Sequence, residues 1–278
     1  MRPVNFYLTH ALAAGALLSS CAAALAQTPK PLWELGVVGG GVSTPAYPGS
    51  ADRSSRGLVL PYLVYRGKIF RSDESGIGAR LFRSDVAEFD VGFAASLPAR
   101  SDDVEARRGM PSLGTLVEFG PRLKWTLSRP TQGSRVRADL PLRTVIEGRG
   151  GLRNRGWTFA PRVIYEADDL GNGWSGSAHV GLVAANDKLN DYFYGVRPEF
   201  AAAARPAYDA KAGLVLARAG GSLERQINPG LRMFGYLWYE NYALSANDAS
   251  PLLKKDSGVS GGIGFIWTFA RSARSAND

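Results

Sequence analysis

The chain has 278 residues, among them 33 glycines, 16 prolines, two histidines and one cysteine, and its formal charge is +8. A hydrophobic share of 45% excludes a disordered or collagen-like chain, and a single cysteine excludes a disulfide framework or a multi-cysteine metal cluster. Glycine is roughly 12% of the residues against an average of about 7%, and joined to 10% aromatics this points away from a helix-rich enzyme.

Residues 1–26 read as a secretory signal: Arg2 is the positive start, Ala11 to Leu18 the apolar stretch, and Ala24-Leu25-Ala26 the small-x-small site. Cleavage is expected between Ala26 and Gln27, with Leu18-Ser19-Ser20-Cys21 as an alternative lipidation site. Either route exports the chain, so the positive charge is not read as a nucleic-acid signal, and no nucleic-acid partner is expected. No later stretch approaches the length of about 18 apolar residues that a spanning helix needs.

Beyond the leader the pattern is period two. Strands are predicted near 33–42, 57–66, 68–74, 76–83, 86–97, 114–127, 134–146, 156–166, 174–184, 210–227, 231–243 and 258–269. In 117–127, Val117, Phe119, Leu123, Trp125 and Leu127 alternate with Glu118, Arg122, Lys124 and Thr126. In 136–146, Val136, Ala138, Leu140 and Leu142 alternate with Arg137, Asp139 and Arg143. In 157–166, Trp157, Phe159, Val163 and Tyr165 alternate with Thr158, Arg162 and Glu166. Successive strand side chains point to opposite faces, so each segment has one apolar and one polar face. Soluble sandwich strands average about 5–6 residues, whereas a tilted strand crossing a bilayer needs roughly 9–11.

The links decide between these. Long connections at 43–56, 98–113, 147–155, 185–209 and 244–257, with a tight one at Glu74-Ser75, alternate with short turns at Gly67, Ser84-Asp85, 128–133, 167–173 and 228–230. Long outer loops, short periplasmic turns and an even strand number define an outer-membrane barrel. The predicted fold is therefore an all-β transmembrane antiparallel barrel of about twelve strands, with 10 or 14 as alternatives. It comprises a signal peptide (1–26), a barrel (27–269) and a periplasmic tail (270–278). The charged phase, Glu118, Arg122, Lys124, Arg137, Asp139, Arg143, Arg162 and Glu166, is expected to line the lumen, because lipid-facing Arg or Lys costs about 2–4 kcal/mol near the midplane. Mixed signs suggest ion pairs filling the lumen; an open channel would show charge as well. Trp125, Trp157, Trp267 and Phe269 fall on the lipid-facing phase. Pro61, Pro121, Pro141 and Pro161 sit mid-strand and are expected at bulges; local unpairing that opens a lateral path is the alternative.

Several segments resemble the MipA/OmpV family of MltA-interacting outer-membrane proteins: Pro45-Ala46-Tyr47-Pro48-Gly49-Ser50, Leu60-Pro61-Tyr62, Arg137-Ala138-Asp139-Leu140-Pro141-Leu142-Arg143, Gly156-Trp157-Thr158-Phe159-Ala160-Pro161, Tyr192-Phe193-Tyr194-Gly195-Val196, Arg205-Pro206-Ala207-Tyr208-Asp209-Ala210 and Asn247-Asp248-Ala249-Ser250-Pro251-Leu252. The resemblance implies a non-enzymatic scaffold linking a lytic transglycosylase to a murein synthase, with no catalytic residue and no cofactor. Gly264, Trp267 and Phe269 resemble the terminal signal read by the barrel assembly machinery, here followed by nine further residues.

Other chemistry is thinly represented. His179 lies on the polar phase with Ser175 and Ser177, so a barrel hydrolase is an alternative, as is a narrow porin-like channel. Asp102-Asp103-Val104-Glu105 followed by Arg107-Arg108 reads as a solvated, self-compensated loop rather than a cation site. Gly39-Gly40-Gly41 has no following Lys or helix and is no phosphate loop. Arg149, Arg153 and Arg155 fall in a predicted outer loop, where they could meet lipopolysaccharide phosphates or simply face solvent.

Overall fold

The computed structural model describes residues 30–73, 76–96, 98–148 and 151–276. Ala26, Gln27, Cys21 and Arg149 lie outside the described residues. The strands are β1 (Trp33–Pro45), β2 (Arg53–Arg66), β3 (Phe70–Asp73), β4 (Gly76–Arg83), β5 (Ala87–Ser96), β6 (Leu116–Ser128), β7 (Ser134–Gly148), β8 (Leu152–Phe159), β9 (Arg162–Ala167), β10 (Trp174–Ala185), β11 (Gly213–Asn228), β12 (Leu231–Asn241) and β13 (Ser257–Arg271). Each pairs antiparallel with its neighbours, and β13 returns to β1. β8 and β9 are two halves of one strand, both paired to β7 and β10, so among the described residues the sheet closes as a twelve-stranded barrel. Closure suits this sequence: the long strands carry an apolar face for lipid, and an open edge would leave backbone groups without partners there.

The outward phase is apolar and exposed, including Trp125, Trp157, Ile263, Trp267 and Phe269. The inner face divides in two. From β4 round to β9 it is charged. From β11 through β13 it also carries glycines beneath rings, beside the Arg218–Glu240 and Arg232–Glu224 pairs: a Cβ on Gly264 would lie 2.8 Å from the Phe234 ring, one on Gly262 2.7 Å from Tyr236, and one on Gly220 2.6 Å from Trp238. The glycine and aromatic excess is thus partly one feature, with rings packed onto backbone that bears no side chain.

The prolines do not sit at bulges. The β1–β2 register passes Pro61 unchanged. The β6–β7 ladder goes from Phe119–Thr144 to Arg122–Pro141 with the same register, as does the β7 ladder from Leu142–Phe159 to Asp139–Arg162. Proline removes a donor without adding a residue, so a rung opens while the flanking rungs hold the register. The real irregularities lie elsewhere, at Leu35/Gly36, Arg80/Phe82, Thr126/Ser128, Val145/Ile146, Val183/Ala184 and Gln226/Asn228.

Two further boundaries move. Residues 270–276 do not hang free: β13 runs to Arg271, Ser272 N–H donates to the Trp33 carbonyl, and Ala276 N–H to that of Lys30. The long 185–209 connection holds one helix, α1 (Asp187–Tyr194), whose N-cap Asn186 accepts the Leu189 amide. Asn186 before Asp187, with Leu189, Tyr192 and Phe193 at helical spacing, was the available sequence signal.

Candidate functional site: a capped, charged lumen

All eight charges of the predicted lumen set point inward, and they meet in pairs across neighbouring strands. Arg122 stands opposite Asp90 and donates to it twice, at 2.8 and 2.7 Å. Lys124 lies opposite Glu88 on one side and Asp139 on the other, and its Nζ reaches Glu88 at 2.9 Å and Asp90 at 2.8 Å. Arg162, opposite Asp139, bonds it at 2.9 and 2.6 Å. Arg137 holds Glu166 at 3.0 and 2.9 Å, and Arg143 lies 3.7 Å from Glu118. Asp139 is 0% exposed and Arg122 and Asp90 3% each, so these charges fill the lumen wall rather than line a wide aqueous bore. Glu88, Asp90 and Arg80 belong to the same network but escaped the pattern reading. Ala87–Ser96 alternates as well, yet its acidic residues alone did not announce the cations opposite.

The end that carries the long loops is closed by the hydrophobic core, built from loop residues together with the adjoining strand ends, Leu116, Val145, Ala185, Val215 and Leu216 among them. Tyr47, Val104, Leu113, Leu189, Tyr194, Val196, Tyr242 and Leu252 are all buried in it. Polar bonds tie the segments together: Tyr47 Oη donates to the Leu252 carbonyl at 2.6 Å, Ser250 Oγ to that of Tyr194 at 2.7 Å, and Tyr208 Oη to Asn247 at 3.2 Å. Arg205 donates to the Ala106 and Arg108 carbonyls. Four of the segments that carried the family resemblance, beginning at Pro45, Tyr192, Arg205 and Asn247, therefore converge here. Burial pushes the Tyr47 phenol up to about 12, and raises Tyr194 and Tyr242 further.

Two loop expectations change. Arg107 is not solvated: it is buried in the cap, donates to the Phe193 carbonyl at 2.9 Å and lies 5.7 Å from the Tyr47 ring centroid. Burial lowers its guanidinium from the ordinary range. Arg153 and Arg155 lie in β8 instead of a loop, and Arg155 pairs with Glu147 and covers the Tyr192 ring at 4.6 Å.

The opposite end, with the short turns and both chain ends, is open. A cavity of about 740 Å³ is bordered by Arg135, Glu166, Asp168, Glu224, Arg232 and Arg271. Beside it a smaller one of about 280 Å³ is lined by nine cationic side chains and three acidic ones, so this mouth favours anions. His179 faces the lumen and meets Trp238 edge-on at 5.9 Å, and Ser177 is engaged with Ser222 at 3.0 Å; among the described residues no hydrogen bond joins a serine to the imidazole. Of the terminal signal residues, Trp267 and Phe269 stack edge-on at 5.8 Å on the outer surface, and Gly264 faces inward under Phe234.

A closed antiparallel barrel with an apolar outer band, a paired charged interior and short turns at the end where both chain ends meet is an outer-membrane β-barrel. More narrowly, the chain belongs to the MipA family: the family model described as MltA-interacting protein MipA matches residues 37–269. Solved structures similar to it include the NanC porin (9% identity, 84% of this chain and 98% of that one, TM-score 0.37). Others are outer membrane phospholipase A from Escherichia coli (8%, 86% and 94%, 0.34) and OprG from Pseudomonas aeruginosa (7%, 87% and 98%, 0.22). No curated protein matches.

Proposed function

We propose that this barrel is a non-enzymatic scaffold at the periplasmic face of the outer membrane, holding a lytic transglycosylase of the MltA kind and a murein synthase. Delivery would use a signal peptide cleaved after Ala26, with insertion by the barrel assembly machinery reading Gly264, Trp267 and Phe269, and with outer-membrane lipid and lipopolysaccharide around the wall. The family description names an interaction with MltA. The observation that carries the reading is the asymmetry of the ends. Loops with their own buried core close the outer mouth, while the basic mouth faces the compartment where murein is built. An unassembled His179 and a charge network tied up in pairs favour binding over chemistry.

The test is affinity capture of the tagged barrel from envelopes, followed by titration of the purified barrel with an MltA-type transglycosylase. Saturable binding weakened by Arg129→Glu with Arg135→Glu supports the scaffold; no binding to either murein enzyme overturns it. A narrow channel is the second reading, favoured by the 740 Å³ cavity. Ion-selective conductance steps in planar bilayers from the intact protein would favour it.

A further inference from the structure

We propose that the wall between β2 and the β3–β4 hairpin is a lateral opening, through which a single-chain anionic amphiphile enters the lumen from the membrane. All thirteen residues from Arg53 to Tyr65 pair with β1, but towards β3 only Tyr65 and Arg66 have partners among the described residues. The hairpin is too short to cover the rest, since β3 has four residues. Three contacts frame the uncovered edge. At the top, Arg56 Nη2 donates to the Pro98 carbonyl at 2.6 Å and Glu105 N–H to Asp52 at 2.9 Å; at the bottom, Ser72 Oγ donates to the Leu63 carbonyl at 2.9 Å. Between them Gly57 to Tyr62 span roughly 20 Å of strand at about 3.3 Å per residue.

The backbone of that edge carries its own argument. Leu63 turns its carbonyl to the open side, while Arg66 N–H points the other way, to the Leu32 carbonyl behind β1. Main-chain groups alternate between edges, so Gly57, Val59 and Pro61 also face the opening. Pro61 has no N–H to leave unsatisfied there, which is where proline is tolerated in a sheet. The remaining groups would be costly against hydrocarbon, and bare backbone at membrane depth persists only where it lines a cavity.

A cavity of about 250 Å³ lies at the lower end of this edge, bordered by Pro61 and Leu63 of the outward phase together with lumen-facing Tyr62, Arg66, Arg232 and Glu224. It thus touches residues of both phases of β2 at this edge. The occupant follows from the chemistry on each side. Leu58 and Leu60 point inward, opposite Gly40 and Val38, and Leu60 remains 49% exposed there, an apolar lane next to the opening. Below it Arg232 bonds the Tyr62 hydroxyl, and Arg66 also borders the nine-cation cavity of the mouth. An acyl chain fits the lane and an anionic head fits the basic floor, the arrangement of a fatty acid or a lysophospholipid.

The test is residue-resolved photolabelling of the intact barrel in proteoliposomes with a diazirine-bearing fatty acid. Label on inward Leu58, Leu60 and Tyr62, comparable with that on outward Val59 and competed by excess oleate, is the expected result. Label confined to outward residues such as Val59, Leu63 and Val163, or label that oleate leaves unchanged, overturns the proposal. In a second arm, Leu58→Trp with Leu60→Trp fills the lane. Label at Tyr62 should fall several-fold while Val163 keeps its own, with heat-modifiable gel mobility reporting that the barrel is intact; unchanged label at Tyr62 in a folded double variant also overturns it. Oleate should compete several-fold better than zwitterionic lysophosphatidylcholine; equal competition by the two overturns the anionic head.

Discussion

Arg122 grips Asp90 through two parallel hydrogen bonds of 2.8 and 2.7 Å directly across the β5–β6 ladder, with both side chains withdrawn from solvent. Bidentate pairs of this geometry are strong, yet the desolvation of each ion offsets much of the attraction. Removing one partner and replacing both therefore have different consequences. Asp90→Ala strands a buried guanidinium and is expected to cost about 3–5 kcal/mol. Asp90→Leu with Arg122→Met should recover most of that loss. Urea unfolding of the refolded barrel in detergent micelles measures both; equal losses in the single and double variants would contradict this account.

The seam where the chain's first and last strands meet depends on two glycines. A Cβ on Gly36 would stand 2.2 Å from the Trp267 carbonyl oxygen, and one on Gly40 2.3 Å from that of Ile263. Both obstacles are backbone, which cannot swing aside. Gly36→Ala and Gly40→Ala are each expected to destabilise by about 1–3 kcal/mol through overpacking. The share of protein in the compact, heat-modifiable band should fall, whereas Gly41→Ala, with nothing within 4 Å, should leave it unchanged.

The cap should respond to alkali. The Tyr47 phenol goes from 10.0 in the unfolded chain to about 12 in the cap because burial disfavours phenolate. The folded value is the higher one, so its contribution is complete below about pH 10 and is lost as pH rises through about 12. Tyr194 and Tyr242 shift the same way. Limited proteolysis of loops 186–212 and 242–256 should accelerate across that window. Tyr47→Phe, which loses the bond to the Leu252 carbonyl, should cost about 1 kcal/mol at neutral pH.

Closure of the outer mouth by Leu189 and Leu252, at 2% and 0% exposure, predicts an electrically quiet protein. Leu189→Asp with Leu252→Asp buries charge in an apolar core and should open the cap. Planar-bilayer recordings are expected to show steps in the double variant, with anion preference set by nine cations against three acids at the inner mouth. Cation preference would contradict the assigned polarity of that mouth.

Much of the architecture was readable along the chain, because in a membrane barrel lipid imposes one rule on every strand. Apolar and polar positions must alternate, and long and short links must alternate with them. The faces of Glu118, Arg122, Lys124, Arg137, Asp139, Arg143, Arg162 and Glu166 follow from that periodicity alone. Which carboxylate each cation meets does not, because period two assigns a face and not a register; Asp90 and Glu88 entered only once β5 was laid beside β6. The cap was hidden for another reason. Its residues come from aperiodic loops far apart in sequence, so Tyr47 and Leu252 become neighbours only when the barrel brings their strand ends together. Pro61 marks the same boundary. Its type signalled a missing donor in β2, but only the short β3–β4 hairpin, a matter of neighbouring strand length, leaves the edge beside it without a ladder partner among the described residues.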